Sequence, residues 1–161
     1  VITGMHHSFT AVETQLLADI ATTGGSFIFP VAAMSNVAQG AAALSVLLIL
    51  KKDNKMKGIA SASGISALLG ITEPAIFGVN LKLRYPFYGA MIGTAVSSAY
   101  IMLTKVLALA PGAAGLPGII SIRPDSMINY IIGMAISMAV AVASTIILAK
   151  TTAKKQNLEV A

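Results

Sequence analysis

Apolar runs of membrane-crossing length alternate with short basic clusters along this chain, and one carboxylate interrupts the pattern. From Ala21 to Leu50 there is no charged residue. About 20 apolar residues span the hydrocarbon core of a bilayer, so this run predicts a transmembrane helix with an approach segment. Pro30 and Gly40 lie inside it, and Ala32, Ala33, Ala38, Ala41, Ala42 and Ala43 suit close helix packing in lipid. Asn36 and Gln39 are expected to hydrogen-bond across helices. Phe87 to Thr104 reads as another span, and Met127 to Ala149 as the cleanest transmembrane helix in the chain. Val106 to Ile122 is apolar but carries Pro111, Gly112, Gly115, Pro117 and Gly118, so it is either a folded-back loop or an external connection. Val1 to Ala21 is mixed and suits an amphipathic helix, which Thr22-Thr23-Gly24-Gly25-Ser26 breaks.

The exception to the pattern is Gly58 to Leu81, where Glu73 is the one charge. A carboxylate at bilayer depth costs several kcal/mol unless it is paired or faces a polar cavity. Pro74 disfavours a helical conformation for Glu73, and Gly70 and Gly78 bracket the break with residues that tolerate unusual backbone angles. The segment reads as a re-entrant hairpin with a polar site at its tip. The alternative is a Pro-kinked helix whose Glu pairs with a neighbour. Basic residues stand on both sides, in Lys51 to Lys57 and at Lys82 and Arg84. If both clusters are cytoplasmic, the segment between them must enter and leave on one side.

Composition agrees with this class. The 161 residues are 56% hydrophobic and 11% charged, where soluble domains carry about 25% charged residues. The expected fold is all-α, with polytopic transmembrane helices. The chain begins with Val1 rather than Met, and Gly4-Met5-His6-His7 reads as interior sequence, so a fragment of a longer protein is expected. The net charge of +5 falls in clusters between apolar runs, without a basic stripe interleaved with aromatics, which argues against nucleic acid as a partner. The absence of cysteine excludes disulfides, cysteine metal sites and a thiol nucleophile on this chain. Lys150, Lys154 and Lys155 follow the last span and place the C-terminus in the cytoplasm.

Three groups carry candidate chemistry: His6-His7, Gly24-Gly25 and Thr72-Glu73-Pro74. A carboxylate accepts several hydroxyl hydrogen bonds, and a neutral imidazole donates one and accepts another. Together they suit an uncharged, polyhydroxylated ligand. Adjacent histidines on a helix point about 100° apart and rarely share a metal, so no metal site and no cofactor are expected. A proton relay through Glu73 is the rival reading.

Gly70 to Phe87 (GITEPAIFGVNLKLRYPF) resembles the membrane-embedded enzyme IIC components of bacterial phosphoenolpyruvate-dependent sugar phosphotransferase systems, in their glucose superfamily. Gly4-Met5-His6-His7 is similar to the family's histidine motif, and Thr23 to Phe27 to its Gly-Gly region. Ala113 to Ile119, Ser61 to Gly64 and Lys82 to Phe87 resemble the sucrose-type branch, with trehalose and β-glucoside permeases close behind. The resemblance implies that residues 1–161 form the C-terminal, sugar-binding part of a IIC domain in the bacterial plasma membrane. It implies a sugar, most simply sucrose, moved by an elevator-like displacement in a homodimer and phosphorylated by a phosphocysteine on a IIB domain that a IIA domain supplies. It further implies that Glu73 binds sugar hydroxyls and is the candidate base, that His6 or His7 is a second ligand, and that Thr72, Gly24 and Gly25 approach the sugar. The runner-up of another class is a proton-coupled secondary transporter using Glu73.

Overall fold

The computed structural model describes residues 6–50 and 53–159, with side chains described over 8–50 and 53–152. Helix α1 (His6–Ala18) and the single turn α2 (Ile20–Thr23) lead into α3 (Ile28–Ile49). Asp53 caps α4 (Asn54–Leu68), its carboxylate accepting from the Met56 amide at 2.9 Å. The chain then returns through α5 (Glu73–Ala75), a π-helical turn over Ile76–Asn80 and α6 (Leu81–Leu83). Helices α7 (Tyr85–Leu103) and α8 (Met127–Glu159) follow, joined by a loop with 3-10 turns at Leu116–Ser121 and Pro124–Ser126. Among the described residues the only β pairings are the isolated bridges Ser26–Ala108 and Ala108–Ile122. Three stretches are long and apolar enough to cross a membrane: Ile28–Ile49, Tyr85–Leu103 and Pro124–Thr152. The fold is all-α and polytopic, and the protein is a membrane protein.

Helix α3 is the axis of the assembly and packs against α4, α7 and α8. It is apolar all round, as a helix enclosed by neighbours must be, and Ala33, Met34, Val37, Ala38 and Ala42 are wholly buried. Between α7 and α8 the backbones approach so closely that a Cβ on Gly89 would run into the Thr145 side chain, and one on Gly93 would lie 2.8 Å from the Ala141 methyl. Lipid tails are as apolar as leucine, so such close contact, rather than hydrophobic burial, holds helices together in a bilayer.

The segment between α3 and α7 is a re-entrant hairpin. Its first arm, α4, has 15 residues and is about 22 Å long at 1.5 Å per residue, short of the ~30 Å hydrocarbon core. Met56 and Ala60 near the start of α4 share a buried cluster with Ala43 and Val46 of α3, against which Leu83 and Tyr85 pack. The ends of α3 and α8 meet as well, in a groove lined by Leu48, Ile49, Ile146, Ala149 and Lys150. Lys55, Lys57, Lys82, Arg84 and Lys150 therefore sit at one end of the bundle. The hairpin leaves and returns on that side.

The break in the hairpin differs from the sequence expectation. Glu73 is helical and opens α5, with Pro74 in the first turn, where a missing N–H is not needed. The chain reverses three residues earlier, at Gly70 with φ +108°; Gly78 keeps an ordinary backbone inside the π turn. The cross-helix role expected of the two amides is realised for Gln39, whereas Asn36 reaches the α7–α8 loop instead. Asn80, fully buried, donates Nδ2 to Gln39 Oε1 at 2.6 Å and to the Gln39 carbonyl at 3.0 Å. Asn36 Nδ2 donates to the Ala114 carbonyl at 2.6 Å.

The course of residues 106–122 is settled as a folded-back loop. Val106, Ala108 and Ile122 are buried with Phe29, Met34 and Ile101. Tyr130 Oη donates to the Gly115 carbonyl at 2.9 Å from the bundle core.

Candidate functional site

Helix α1, the first half of α3 and the hairpin turn enclose an open cavity of about 560 Å³, within the ~300–1,000 Å³ range of small-molecule sites. Each wall follows from a local rule. Ile28, Val31, Ala32, Ser35 and Asn36 line it from α3, and their i, i+3, i+4, i+7, i+8 spacing makes one helical face. Phe9, Thr10 and Glu13 line it from α1, again one face. Gly70, Thr72 and Glu73 come from the hairpin, Phe27 from the entry to α3 and Met102 from α7.

The hairpin turn is built to hold its position. The Gly70 amide donates to the Ala67 carbonyl at 3.0 Å and the Ile71 amide to the Ser66 carbonyl at 3.0 Å. Ser66 Oγ closes the turn on the Ile71 carbonyl at 3.2 Å. A Cβ on Gly70 would meet the Ala114 carbonyl oxygen at 3.1 Å, and that loop is tied to α3 through Asn36. Thr72 is buried, while Glu73 is exposed and borders the cavity. The tip meets α3 at Ser35 and Asn36, about 20 Å from the basic end of that helix by its rise per residue.

Among the described lining residues there is no lysine or arginine, and the ion pair Arg123–Asp125, at 3.9 Å, lies in the α7–α8 connection. Glu13 and Glu73 thus face the cavity without a described cationic partner. Carboxylate oxygens accept hydrogen bonds, so the pair can engage hydroxyl donors of a ligand. The exposed faces of Phe9 and Phe27 complement them by covering the C–H faces of a ring. The site suits a neutral polyol.

Of the residues expected from sequence, Thr72 and Glu73 meet in this cavity. The expectations for His6 and His7 concern side chains outside the described residues. Helix α1 opens at His6. Gly24 and Gly25 are not among the lining residues. They pack against the folded-back loop: Gly24 closes α2 with φ +74°, and a Cβ on Gly25, at φ +131°, would lie 2.5 Å from the Ala108 carbonyl oxygen. Sequence reasoning missed Phe9, Thr10, Glu13, Phe27 and Ser35. The signal that marks Glu13 is its spacing of three and four from Thr10 and Phe9, which puts the three on one helical face.

A family profile described as "Phosphotransferase system, EIIC" matches residues 1–95. The chain belongs to the phosphotransferase system EIIC family. This EIIC chain is 68% identical over 148 residues to the "PTS system sucrose-specific EIIBC component" of Vibrio alginolyticus, covering 92% of this chain and 31% of that protein. It is 65% identical over 150 residues to the protein of the same description from Pasteurella multocida, covering 93% and 31%. Against the "PTS system trehalose-specific EIIBC component" of Bacillus subtilis, identity is 51% over 145 residues, covering 90% and 30%. The EIIC chain spans about a third of the length of these curated relatives. No solved structure matches it.

Proposed function

We propose that this EIIC chain is the C-terminal, sugar-binding part of a IIC permease domain, spanning residues 1–161, that binds and translocates sucrose while a IIB domain phosphorylates it. The observation that carries this reading is the cavity itself: the Gly-Ile-Thr-Glu-Pro turn presents Thr72 and Glu73 to a space where polar Thr10, Glu13, Ser35 and Asn36 stand among Phe9, Phe27 and aliphatic side chains. Sucrose is preferred to trehalose because the two sucrose-specific relatives above are 68% and 65% identical, against 51% for the trehalose-specific one, although other sucrose-specific relatives range down to 46%. The basic end of the bundle then faces the cytoplasm of a bacterial plasma membrane, with the C-terminus on that side. IIB and IIA are the phosphoryl-transfer partners, and the parent protein works as a homodimer in lipid.

Glu73 accepts hydrogen bonds from sugar hydroxyls and orients the one that reacts. As that oxygen attacks the phosphorus of the IIB phosphocysteine, the new O–P bond forms and the P–S bond breaks. The hydroxyl proton passes to Glu73, and the thiolate leaves. Thr72 approaches the sugar beside the carboxylate, and His6 or His7 supplies a second polar contact from α1. Gly24 and Gly25 serve the sugar by letting the folded-back loop seat against the start of α3.

A thiol probe tests the location of the sugar. These 161 residues contain no cysteine, so Ser35→Cys introduces one reporter into the cavity wall. Sucrose is expected to slow its maleimide labelling clearly, since pockets of this size bury about 70–90% of a bound ligand's surface. A Leu103→Cys control, on an exposed surface, should label at the same rate with or without sugar. Equal labelling at position 35 in both conditions would place the sugar elsewhere.

A further inference from the structure

We propose that Glu13 is a second carboxylate of the sugar site and that, with Glu73, it makes the cavity prefer a neutral sugar over that sugar's phosphate. This rests on the sugar-binding reading above. The two residues stand sixty positions apart in sequence, on α1 and on the hairpin, yet both line the same cavity. Neither has a described cationic partner.

The local structure holds Glu13 in place through a chain of hydrogen bonds. The Ser26 amide donates to the Ala108 carbonyl and the Ala108 amide to the Ser26 carbonyl, each at 2.8 Å. Ser26, fully buried, is thereby fixed to the folded-back loop. Its Oγ accepts from the Ile28 amide at 3.2 Å, so its single proton is available to Glu13, and it donates to Oε1 at 3.2 Å. One carboxylate oxygen is anchored. The other has no hydrogen-bond partner among the described residues and is left for a ligand hydroxyl.

The charge has a consequence for the product. A sugar enters neutral and, once phosphorylated, carries about two negative charges near neutral pH. Two carboxylates without a described counter-charge welcome hydroxyl donors and repel the phosphate ester. The step that makes the product therefore weakens its hold on the cavity. Release towards the cytoplasm follows without any dedicated gate.

The test uses the full-length parent protein in membrane vesicles and compares binding of sucrose with competition by its phosphate monoester. In Glu13→Gln the ratio of sugar-phosphate to sucrose dissociation constants is expected to fall about fivefold, the size of one charge–charge interaction across a wet cavity. Glu13→Asp keeps the charge and should keep the ratio. Ser26→Ala should weaken sucrose binding while leaving the ratio close to that of the unsubstituted protein. A ratio unchanged in Glu13→Gln, with sucrose still bound by the unsubstituted protein, would overturn the role of Glu13 alone. Failure of the unsubstituted protein to bind sucrose would overturn the sugar-binding reading, and this inference with it.

Discussion

Replacing Glu73 with glutamine is expected to lower the rate of sucrose phosphorylation about 100-fold at saturating sugar, the loss typical of removing a positioned base. Glutamine matches glutamate in size, so the turn held by Gly70, Ile71 and Ser66 should survive. The amide oxygen still accepts from a hydroxyl, and sucrose binding should therefore weaken far less than the rate. Initial rates with purified phosphoryl-donor proteins, set beside equilibrium binding, separate the two effects. A raised KM with unchanged kcat would make Glu73 a ligand only. Unchanged phosphorylation would remove it from the chemistry altogether.

Gly25→Ala is expected to destabilise the protein by about 3 kcal/mol, summing about 1–2 for the left-handed backbone and 1–3 for overpacking. At φ +131° the backbone is strained for any side chain, and the new methyl would lie 2.5 Å from the Ala108 carbonyl oxygen. The bridge from Ser26 to Ala108 would have to open, and with it the anchor of Glu13. Gly24→Ala is the internal control. Its φ of +74° is also left-handed, but the nearest atom, Leu107 Cδ1, is 3.5 Å away, so a cost of about 1 kcal/mol is expected from the backbone alone. Thermal unfolding in detergent ranks the two variants. Equal stability with sugar binding lost only in Gly25→Ala would instead support direct contact between this glycine and the sugar.

Much of the architecture was legible because lipid imposes simple rules. The uncharged runs at Ala21–Leu50, Phe87–Thr104 and Met127–Ala149 hold α3, α7 and the start of α8, α7 to within two residues and α3 after an approach segment. The α8 helix itself continues to Glu159, past the apolar run. Glu73 stands out because it is the one charge in its run, and the basic clusters on either side, if both cytoplasmic, point to a re-entrant path. Position within the hairpin was harder. The sequence points to Pro74 as the break, whereas it lies in the first turn of α5 and Gly70 makes the reversal. Both residues disrupt helices, and only three-dimensional packing against Ala114 decides which one does so here.

The cavity was less legible than the bundle. Glu13 and Phe9 lie in a mixed segment whose pattern gives a helix without saying what its faces meet. Their role depends on α1 lying beside the start of α3, where Glu13 meets Ser26, itself paired with Ala108 more than eighty residues on. The Gly-Gly pair shows the same limit. Its composition announces a close approach, and the approaching group is the folded-back loop. The π turn at Ile76–Asn80 left no periodic signature either; it is secured by Asn80 reaching Gln39 on another helix.

The most direct test follows radiolabelled sucrose into vesicles holding the full-length protein, with phosphoenolpyruvate and the phosphoryl-donor proteins on the cytoplasmic face. Sugar recovered inside as the phosphate ester, dependent on phosphoenolpyruvate, insensitive to a protonophore and lost in Glu73→Gln, is the expected result. Accumulation of unmodified sucrose that collapses with the proton gradient would contradict the account and make Glu73 the proton site of a secondary transporter.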